Sequence, residues 1–326
     1  MILMKLKILI WITLNMSGKV LITGGLGNLG LWITDYLLKQ NYDVTILSAR
    51  TDLDKTQFNQ KLDFIHCDIR DLDNLKKLVP QKLDYVIHLA SINEFFLEDY
   101  PEKAININSF GTRNLLEILK SRKIKRFVYF STFHVYGKSY GNISETMELF
   151  PKNDYASTHL FAEYYVKQFK DNYNIPYTIF RLTNSYGSPK DINSSKWYLV
   201  LNDLSKMAFE KKTIILKSNG KAIRDFIFMG DVAKVVEKSF SFKDNEIYNL
   251  GSGVSTSILE IAKMVQEVYF EVYKTHVNIE VNKSDKTEIK NLSVNISKLQ
   301  KIVNIEFKPY FKEEILKIFN LLETNK

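Results

Sequence analysis

The sequence has a single cysteine, Cys67, among its 326 residues. One cysteine excludes an intrachain disulfide framework and a cysteine-based metal site, and it favours the reducing environment of the cytoplasm. The five histidines lack the H-E-x-x-H spacing or any similar ligand pattern. The sequence therefore predicts a cytoplasmic protein without a metal site.

The N-terminus lacks an apolar run long enough to cross a membrane. The run from Ile8 to Ile12 is much shorter than the roughly 20 residues that a spanning helix needs, so no membrane association is expected. A signal peptide would end at a small-residue cleavage site, whereas residues 16–19 lead directly into a predicted strand. We interpret residues 1–16 as an extension or a misassigned start, with Met16 as the true first residue. An exposed hydrophobic N-terminal segment is the alternative.

Charge of one sign is not concentrated in any long stretch. The formal net charge is +8, and the densest basic cluster, residues 120–126, follows a predicted helix, where cations suit the helix dipole. This placement argues against a nucleic-acid partner. A modest positive bias suits an anionic small substrate.

The first half of the chain alternates short β-rich runs with helical patterns. Strands are predicted at 19–23, 43–47, 63–66, 85–89, 126–131 and 177–181, and helices at 28–40, 73–78, 105–120 and 155–172. Strands separated by helices indicate parallel βαβ units. The predicted fold class is therefore α/β, with a Rossmann-type doubly wound parallel sheet.

The pattern becomes less regular after residue 181. Residues 184–196 predict a long loop, and helices follow at 198–210, 231–240 and 257–269. No repeat or low-complexity linker separates the halves. We predict a dinucleotide-binding domain at 17–181, onto which a segment near 224–250 packs back, and a smaller C-terminal α/β substrate-binding region at 182–326.

The first predicted strand leads into a glycine-rich turn that opens a helix. The turn reads Gly24-Gly25-Leu26-Gly27-Asn28-Leu29-Gly30. Glycines at this spacing permit a tight turn and a close approach to a pyrophosphate, to which the helix N-terminus offers N–H groups. The context predicts a dinucleotide site formed by Gly24, Gly27, Asn28, Leu29 and Gly30.

The end of the second strand bears on the choice between NAD and NADP. An acid there would bond the 2′-hydroxyl of the adenosine ribose, but this sequence has Ser48. Arg50 would pair with a 2′-phosphate or stack on adenine, whereas Asp52 or Asp54 would reach the ribose of NAD. Both cofactors stay open at this point.

Nine motifs follow one another along the chain. They are Thr23-Gly24-x-x-Gly27-x-x-Gly30, Cys67-Asp68-Ile69-Arg70-Asp71, Val86-Ile87-His88-Leu89-Ala90-Ser91, Asn108-Ser109-Phe110-Gly111-Thr112, Phe130-Ser131-Thr132-Phe133-His134-Val135-Tyr136-Gly137, Tyr155-Ala156-Ser157-Thr158-His159, Arg181-Leu182-Thr183-Asn184-Ser185-Tyr186-Gly187, Arg224-Asp225-Phe226 and Tyr248-Asn249-Leu250-Gly251-Ser252-Gly253. In this order they resemble the extended short-chain dehydrogenase/reductase family, in its sugar-nucleotide-modifying branch of epimerases, dehydratases and dehydrogenases. The resemblance covers nearly the whole chain after Met16.

The resemblance implies roles on the cofactor side. Asp68 would bond the adenine amino group, and Ile69 would flank the ring. The segment Leu89-Ala90-Ser91 would line the cofactor diphosphate and ribose, and Asn108 would stabilise the central strands near the active site.

The resemblance also implies a catalytic set of Thr132, Tyr155 and His159. In the family a Tyr is the base, a Ser or Thr polarises the same oxygen, and a Lys one helical turn later lowers the pKa of the Tyr. Here His159 replaces that Lys. A cation about 5 Å away contributes roughly 3 kcal/mol at an effective dielectric near 20, and an imidazole carries that charge only partly at neutral pH.

This replacement leaves three interpretations open. His159 holds the nicotinamide ribose, with slower or more alkaline catalysis. It serves a specialised proton relay. Or the chain is a catalytically weak relative that binds the cofactor or a nucleotide sugar.

The residues after Thr132 narrow the expected reaction. The 4,6-dehydratases of the family place an Asp-Glu pair there, and this sequence has Phe133 and His134, so a dehydratase is not expected. We expect an NAD(P)-dependent oxidoreductase that oxidises the sugar C4 hydroxyl of a nucleotide sugar, as a 4-dehydrogenase, a reductase or a 4-epimerase, in surface-polysaccharide synthesis. His134 is a substrate contact, a proton carrier or a packed structural residue.

Substrate recognition and assembly also follow from the resemblance. Arg224 would grip the substrate diphosphate through its bidentate guanidinium, and Asn184 would contact the sugar nucleotide. The helices at 105–120 and 155–172 would form a homodimer as a four-helix bundle. The aromatic content of the second helix (Phe161, Tyr164, Tyr165, Phe169) fits this interface and a buried monomer core equally well.

Overall fold

The structure, a computed structural model, describes residues 17–50, 62–93, 101–190, 192–193 and 195–325. Residues 1–16, together with Asp52 and Asp54 as ribose contacts, lie outside these residues. The chain divides into two compact units, each assembled from three stretches. The first comprises the described residues within Met1–Ser131, Pro151–Phe180 and Val236–Glu246, and the second those within Thr132–Phe150, Arg181–Val235 and Ile247–Lys326.

A seven-stranded sheet confirms the predicted fold class. Its strands are β1 (Lys19–Thr23), β2 (Asp43–Ser48), β3 (Asp63–His66), β4 (Tyr85–His88), β5 (Arg126–Thr132), β7 (Tyr177–Leu182) and β11 (Glu246–Leu250), while β6 (Gly141–Ile143) lies outside it. The spatial order is β11-β7-β5-β4-β1-β2-β3, and the pairs from β3 through β5 are parallel. The order reverses between β1 and β4, which is the topological switch point where doubly wound sheets bind dinucleotides.

Strand β5 illustrates why these segments form the centre of the sheet. All seven of its residues, Arg126–Thr132, are buried, as expected for a strand that is covered on both faces and reads as a nearly continuous apolar run. The hydroxyls of Ser131 and Thr132 stand at its carboxyl end, the edge at which α/β proteins form their sites.

The helices of the first unit largely match their predicted positions. They are α1 (Asn28–Lys39), α2 (Leu72–Leu78), α3 (Pro101–Ala104), a π-helix (Ile105–Phe110), α4 (Gly111–Leu119) and α5 (Asp154–Tyr173). The helix predicted at 105–120 is present, with a π-helical first part at Ile105–Phe110 that the sequence pattern did not indicate. The side chains of Asn108 and Ser109 in that part bond to Thr158 of α5, a long-range contact that local periodicity does not contain.

The rest of the chain adds further strands and α-helices, together with short 3-10 helices at Phe133–Tyr136 and Ser195–Tyr198. The strands and α-helices are β8 (Asn184–Tyr186), β9 (Thr213–Leu216), β10 (Ile223–Phe228), β12 (Ser255–Ser257), β13 (Asn278–Val281), β14 (Leu292–Val294), α6 (Val200–Lys211), α7 (Met229–Ser239), α8 (Ile258–Tyr273), α9 (Ser297–Gln300) and α10 (Phe311–Thr324). Buried side chains of α6, α8 and α10 share one hydrophobic cluster, which includes Leu204, Ile261 and Ile315. The predicted loop 184–196 was partly wrong, because β8 lies at its start and pairs in parallel with β10.

Candidate cofactor and catalytic site

The glycine-rich turn follows β1 and lies against the segment that follows β4. Gly24 has φ +70°, and a Cβ at this position would lie 2.7 Å from the backbone nitrogen of Ala90. A Cβ on Gly30 would lie 2.6 Å from the carbonyl oxygen of Gly24. These distances are too short for any side chain, so both positions require glycine, and the backbones of the two loops approach closely.

The N-terminus of α1 is suited to an anion. Within the described residues, its N-cap Gly27 supplies no side-chain cap, and the first turn carries no acidic residue. The first N–H groups of a helix lack intrahelical partners and attract negative charge. The turn therefore fits the pyrophosphate of a dinucleotide, with Asn28, Leu29 and Gly30 forming the first helical residues.

Ser48 and Arg50 stand at the carboxyl end of β2. The Ser48 hydroxyl accepts a hydrogen bond from the backbone N–H of Arg50 at 3.0 Å, while the residue itself is buried. Arg50 is exposed. The position that an acid would occupy in an NAD-selective site therefore carries a hydroxyl that holds the turn, followed by an exposed guanidinium.

Asp68 is engaged by Arg70, a residue whose role the sequence argument did not identify. The two form an ion pair at 2.7 Å, and the Arg70 backbone N–H donates to the same carboxylate at 2.8 Å. The Arg70 hydrogen bond holds the pKa of Asp68 below its usual value. Neighbouring Ile69 is buried, and a Cβ on Gly111 would lie 2.6 Å from its Cγ2. Asp68 is thus a fixed carboxylate beside an apolar residue, which suits recognition of an adenine edge.

Asn108 links the segment after β4 to α5. Its side-chain oxygen accepts from the backbone N–H of Ile92 at 2.8 Å, and its amide donates to the Thr158 hydroxyl at 3.1 Å. Ser109 donates to the Thr158 carbonyl at 3.0 Å. The preceding segment is tied to β1, because the N–H of Leu89 donates to the carbonyl of Thr23. Asn108 therefore positions the chain that follows Ser91, together with the first turns of α5.

Tyr155 and His159 lie one turn apart on α5. Their ring centroids are 4.6 Å apart in an edge-to-face arrangement, as the i, i+4 spacing predicts. Tyr155 is half-buried, while His159 is buried. The Nδ1 atom of His159 lies 2.8 Å from the Tyr129 hydroxyl of β5. The structure thus places His159 between a half-buried phenol and a fully buried one.

A buried polar chain continues from Tyr129 into the sheet. The pKa of Tyr129 is raised well above its ordinary value by burial, with a smaller contribution from Glu163. His88 lies 2.9 Å from the Thr112 hydroxyl through Nε2 and 2.6 Å from the Thr23 hydroxyl through Nδ1. Burial lowers the pKa of His88 to about 3, so this imidazole is neutral at physiological pH.

Sequence reasoning missed these buried residues for different reasons. His88 stands inside one of the nine motifs, and its position between apolar neighbours was the available signal. Tyr129 lies within the apolar run of β5, where a tyrosine is ordinarily interpreted as a residue that packs in the hydrophobic core. Glu163 lies one turn after His159, and its carboxylate accepts a hydrogen bond from the Ser131 hydroxyl at 2.6 Å. Tyr155, His159 and Glu163 follow one another at intervals of four residues, and this spacing was the available signal that Glu163 shares their face of α5.

Thr132 and His134 belong to the second unit. Thr132 is buried, and its hydroxyl accepts a hydrogen bond from the His134 backbone N–H at 3.2 Å. A hydroxyl that accepts through one lone pair can still donate its proton. The His134 residue is exposed. Thr132 is therefore suited to polarise a hydroxyl or carbonyl oxygen.

Asn184 and Arg224 lie on the paired strands β8 and β10. The Asn184 amide donates to the carbonyl of Asp225 at 3.0 Å, and Arg224 is exposed. The buried Asp225 carboxylate accepts from the Thr183 hydroxyl and from the N–H groups of Ser252 and Gly253. This clamp fixes the backbone of β10 at the residue that follows Arg224.

Three other motif residues form a structural cluster in the second unit. The Tyr136 hydroxyl donates to the Asn249 side chain at 2.6 Å and accepts from Arg181 at 3.2 Å. The Arg181 guanidinium lies 5.0 Å from the centre of the Tyr136 ring. Because all three are buried, these motif positions connect segments within the unit.

None of the helices in the described part of the chain combines the length and the apolar composition needed to cross a membrane. Over the same residues, no three His, Cys, Asp or Glu side chains are grouped so that they could hold a metal ion.

Comparison with known proteins connects this site to others. Residues 20–251 match the model of the NAD dependent epimerase/dehydratase family. A candidate UDP-glucose 4-epimerase of Methanocaldococcus jannaschii is 31% identical over 94% of this chain and 99% of its own length.

Two solved structures are similar over almost the whole chain. A UDP-glucuronic acid 4-epimerase from Bacillus cereus, in complex with UDP-glucuronic acid and NAD, has a TM-score of 0.78 at 25% identity and covers 94% of this chain and 100% of its own. A UDP-N-acetylglucosamine 4-epimerase from Methanobrevibacter ruminantium M1, in complex with UDP-N-acetylmuramic acid, has a TM-score of 0.83 at 24% identity, with coverages of 95% and 100%. With a family model that matches most of its length and a relative above 30% identity, the chain belongs to the NAD dependent epimerase/dehydratase family.

Proposed function

We propose that this protein is an NAD-dependent nucleotide-sugar 4-epimerase, which inverts the C4 hydroxyl of a sugar that enters surface-polysaccharide synthesis. The observation that carries the proposal is the edge-to-face contact of Tyr155 with His159 at 4.6 Å, on a helix that Asn108 and Ser109 anchor. The epimerase relatives support the inversion over a net oxidation or reduction.

The cofactor would be held by the first unit. The N-terminus of α1 and the turn from Gly24 to Gly30 would bind the pyrophosphate, and Asp68 with Ile69 would bind the adenine. Ser48 and Arg50 would face the adenosine ribose, and Leu89 to Ser91 would line the diphosphate. NAD, when bound, supplies the hydride acceptor and donor for the reaction at C4.

The protein's own residues would move the proton. Tyr155, as the base, would take the proton of the C4 hydroxyl and later return it to the keto oxygen. The Thr132 hydroxyl, whose lone pair accepts from the His134 N–H, would donate to the same oxygen. His159 would supply positive charge in its protonated form, which favours the ionised Tyr155.

Arg224, Asn184 and His134 would recognise the nucleotide sugar. A guanidinium binds a diphosphate with two parallel hydrogen bonds, and Arg224 is exposed beside the fixed Asp225. Asn184 and His134 would contact the nucleotide and the sugar. The absence of an Asp-Glu pair after Thr132 supports a reaction without water elimination.

The protein would act as a homodimer. Phe161 and Tyr164 of α5 are 53% and 56% exposed, and Ile105 and Phe110 of the π-helix are also exposed. Large exposed apolar side chains on one helix pair are typical of an interface. A four-helix bundle with the same helices of a second copy would bury them.

Product analysis with a panel of sugar nucleotides tests the function. Purified protein is incubated with NAD and UDP-, dTDP-, GDP- or CDP-sugars, and the products are examined by NMR, because an epimer has the mass of its substrate. The proposal expects one pair of C4 epimers to interconvert. Net production of reduced cofactor would identify a dehydrogenase. A product lighter than its substrate by one water molecule would identify a dehydratase.

A catalytically weak binding protein is the second candidate. It is favoured by one observation, the replacement of the family's lysine by His159. This candidate predicts tight binding of NAD and of a nucleotide sugar without turnover at any pH. A pH series from about 6 to 9, with cofactor affinity measured in parallel, separates the two candidates.

A further inference from the structure

Asp225 lies where strand β10 changes its pairing partner. In the three-stranded sheet β12-β10-β8, residues 223–225 of β10 pair with β12, and residues 226–228 pair with β8. Thr183 directly precedes β8, while Ser252 and Gly253 lie just before β12. The entrances of both neighbouring strands are therefore close to Asp225, the residue that follows Arg224.

Among the described residues, three donors converge on the buried Asp225 carboxylate. Its Oδ1 accepts from the Thr183 hydroxyl and from the Ser252 N–H, each at 2.9 Å. Its Oδ2 accepts from the Gly253 N–H at 2.7 Å. The Leu250 carbonyl is a more distant acceptor for the Thr183 hydroxyl, at 3.3 Å. Because both carboxylate oxygens accept, an ionised aspartate is the side chain of this size that satisfies all three donors.

The loop before β12 is shaped around this carboxylate. A Cβ on Gly251 would lie 2.6 Å from the Asp225 Oδ1, so a side chain at residue 251 would displace the carboxylate. Gly251 belongs to the last of the nine sequence motifs, which the cofactor and catalytic roles leave without an assignment. The contact with Asp225 supplies a reason for this motif.

The main chain of Asp225 is fixed as well. Its carbonyl accepts from the Asn184 side-chain amide of β8 at 3.0 Å. Successive side chains of a strand point to opposite faces, and accordingly Asp225 is buried whereas Arg224 is exposed. Hydrogen bonds from both neighbouring segments therefore fix the backbone from which the Arg224 side chain extends.

We infer that Asp225 is a positioning residue that orients Arg224 for the diphosphate of the nucleotide sugar, without touching the substrate itself. The inference rests on the proposed function, in which the Arg224 guanidinium forms two parallel hydrogen bonds with that diphosphate. A long side chain loses less conformational freedom on binding when its backbone is already fixed. Loosening residue 225 should therefore weaken diphosphate binding and leave NAD binding unchanged.

Binding of nucleoside diphosphates tests the inference without turnover. Titration calorimetry of protein saturated with NAD measures the affinities for UDP, dTDP, GDP and CDP, and the one bound most tightly is the probe. Asp225→Asn keeps the shape of the side chain but replaces one acceptor oxygen by an NH2 donor. We expect this variant to bind the probe about tenfold more weakly, the worth of one charge-assisted hydrogen bond. An unchanged probe affinity in folded Asp225→Asn would overturn the inference.

A double-mutant cycle separates positioning from a general loss of stability. If Asp225 acts through Arg224, Arg224→Ala already removes its contribution, and adding Asp225→Asn should change the probe affinity by less than about twofold. Additive losses would overturn the inference. Asp231→Asn, at another buried carboxylate of the second unit, is the matched control and should bind the probe as the wild type does. An equal loss in this control would also overturn the inference.

Thr183 provides an arm that leaves the carboxylate in place. Thr183→Val removes the hydroxyl donor at nearly constant shape and should weaken probe binding about threefold, whereas Thr183→Ser keeps the donor and should match the wild type. If Asp225→Asn does not fold, this pair decides, and equal affinities in the two variants would overturn the inference.

Failure of the proposed function gives different results. A wild-type chain that binds none of the four diphosphates would refute the nucleotide-sugar function, and the inference with it. A chain that shows the expected pattern of affinities but forms no epimer would refute the epimerase reaction alone.

Discussion

The hydroxyl of Tyr129 lies 2.8 Å from Nδ1 of His159, so the residue in the place of the family's lysine is held by a buried phenol. A lysine there would carry its charge at any physiological pH, whereas an imidazole has a neutral form as well as a cationic one. The chemistry proposed for Tyr155 therefore depends on the protonation state of His159, whose ring contacts the buried Tyr129 hydroxyl.

The variant His159→Lys is expected to shift the acidic limb of the rate–pH profile to lower pH. A permanent cation about 5 Å from a phenol contributes roughly 3 kcal/mol at an effective dielectric near 20, which corresponds to about two pH units. The profile of kcat with saturating NAD measures this shift. His159→Gln, which has no charge at any pH, is the control and should not move the limb to lower pH.

Tyr155→Phe is expected to reduce kcat by about 10² to 10⁴-fold, the usual contribution of a general base. NAD affinity should change little, because the cofactor turn is untouched. Tyr173→Phe, at the exposed end of the same helix, is the matched control and should retain activity. Comparable losses in both variants would show that the effect does not come from the Tyr155 hydroxyl.

Gly24→Ala is expected to weaken NAD binding at least tenfold, because the new Cβ would lie 2.7 Å from the Ala90 nitrogen. Gly141→Ala provides the control. Gly141 also has a positive φ, +86°, but no atom lies within 4 Å of its Cβ position, so it tests backbone strain without the collision. Titration calorimetry with NAD gives both affinities. Equal affinities in the two variants would contradict the close approach of the two loops.

Acid should destabilise the fold through His88. Burial lowers its pKa to about 3 in the folded state, while an unfolded histidine titrates near 6.5. Between these values the unfolded chain binds the extra proton, so the stability that neutral His88 contributes is complete above pH 6.5 and is lost as the pH falls toward 3.

The slope of this loss is expected to approach about 1.4 kcal/mol per pH unit near pH 5. Denaturant unfolding between pH 4 and 7.5 measures this slope. Carboxylates also titrate in this range, and their contribution is subtracted by comparison with His88→Gln. The variant should have a shallower slope by about that amount. Parallel curves for the two proteins would show that His88 does not titrate on unfolding.

Phe161→Glu is expected to convert a dimer to a monomer in sedimentation velocity. The side chain is 53% exposed in the isolated chain, and a charge buried at an interface without a partner is costly. Phe270→Glu, at another exposed phenylalanine, is the control and should leave the assembly state unchanged. A wild-type monomer at micromolar concentration would contradict the proposed assembly.

Much of the sheet could be predicted from sequence because most of its strands are largely apolar runs, although β3, with Asp63 and His66 exposed, is not. The predicted limits of 19–23 and 63–66 agree with β1 and β3, and the end of β5 differs by one residue. The short strand β8 was missed because β10, the strand it pairs with among the described residues, is about forty residues away. The π-helical form of residues 105–110 was missed for the same reason. It depends on contacts with α5 that the local periodicity of the sequence does not encode.

The site was predictable to a different extent. Motif order indicated Tyr155, His159 and the glycine turn as candidates, and helical spacing and strand ends fix where such residues lie in the fold. It did not identify Tyr129 as a partner of His159 or Arg70 as a partner of Asp68. The direction in which such side chains point depends on the neighbouring elements of the fold. The sequence alone indicates that His159 is unusual, whereas its contact with Tyr129 is seen only in the structure.

We propose that this chain inverts C4 of a nucleotide sugar by passing hydride to NAD and back. The most direct measurement is ¹H NMR of UDP-glucose, UDP-glucuronic acid and UDP-N-acetylglucosamine incubated with the protein and NAD in ²H₂O, from pH 6 to pH 9. We expect a C4 epimer of at least one of these sugars that retains its C4 hydrogen, because hydride does not exchange with solvent. An epimer with deuterium at C4, or no epimer at any pH from folded protein that binds NAD, would contradict it.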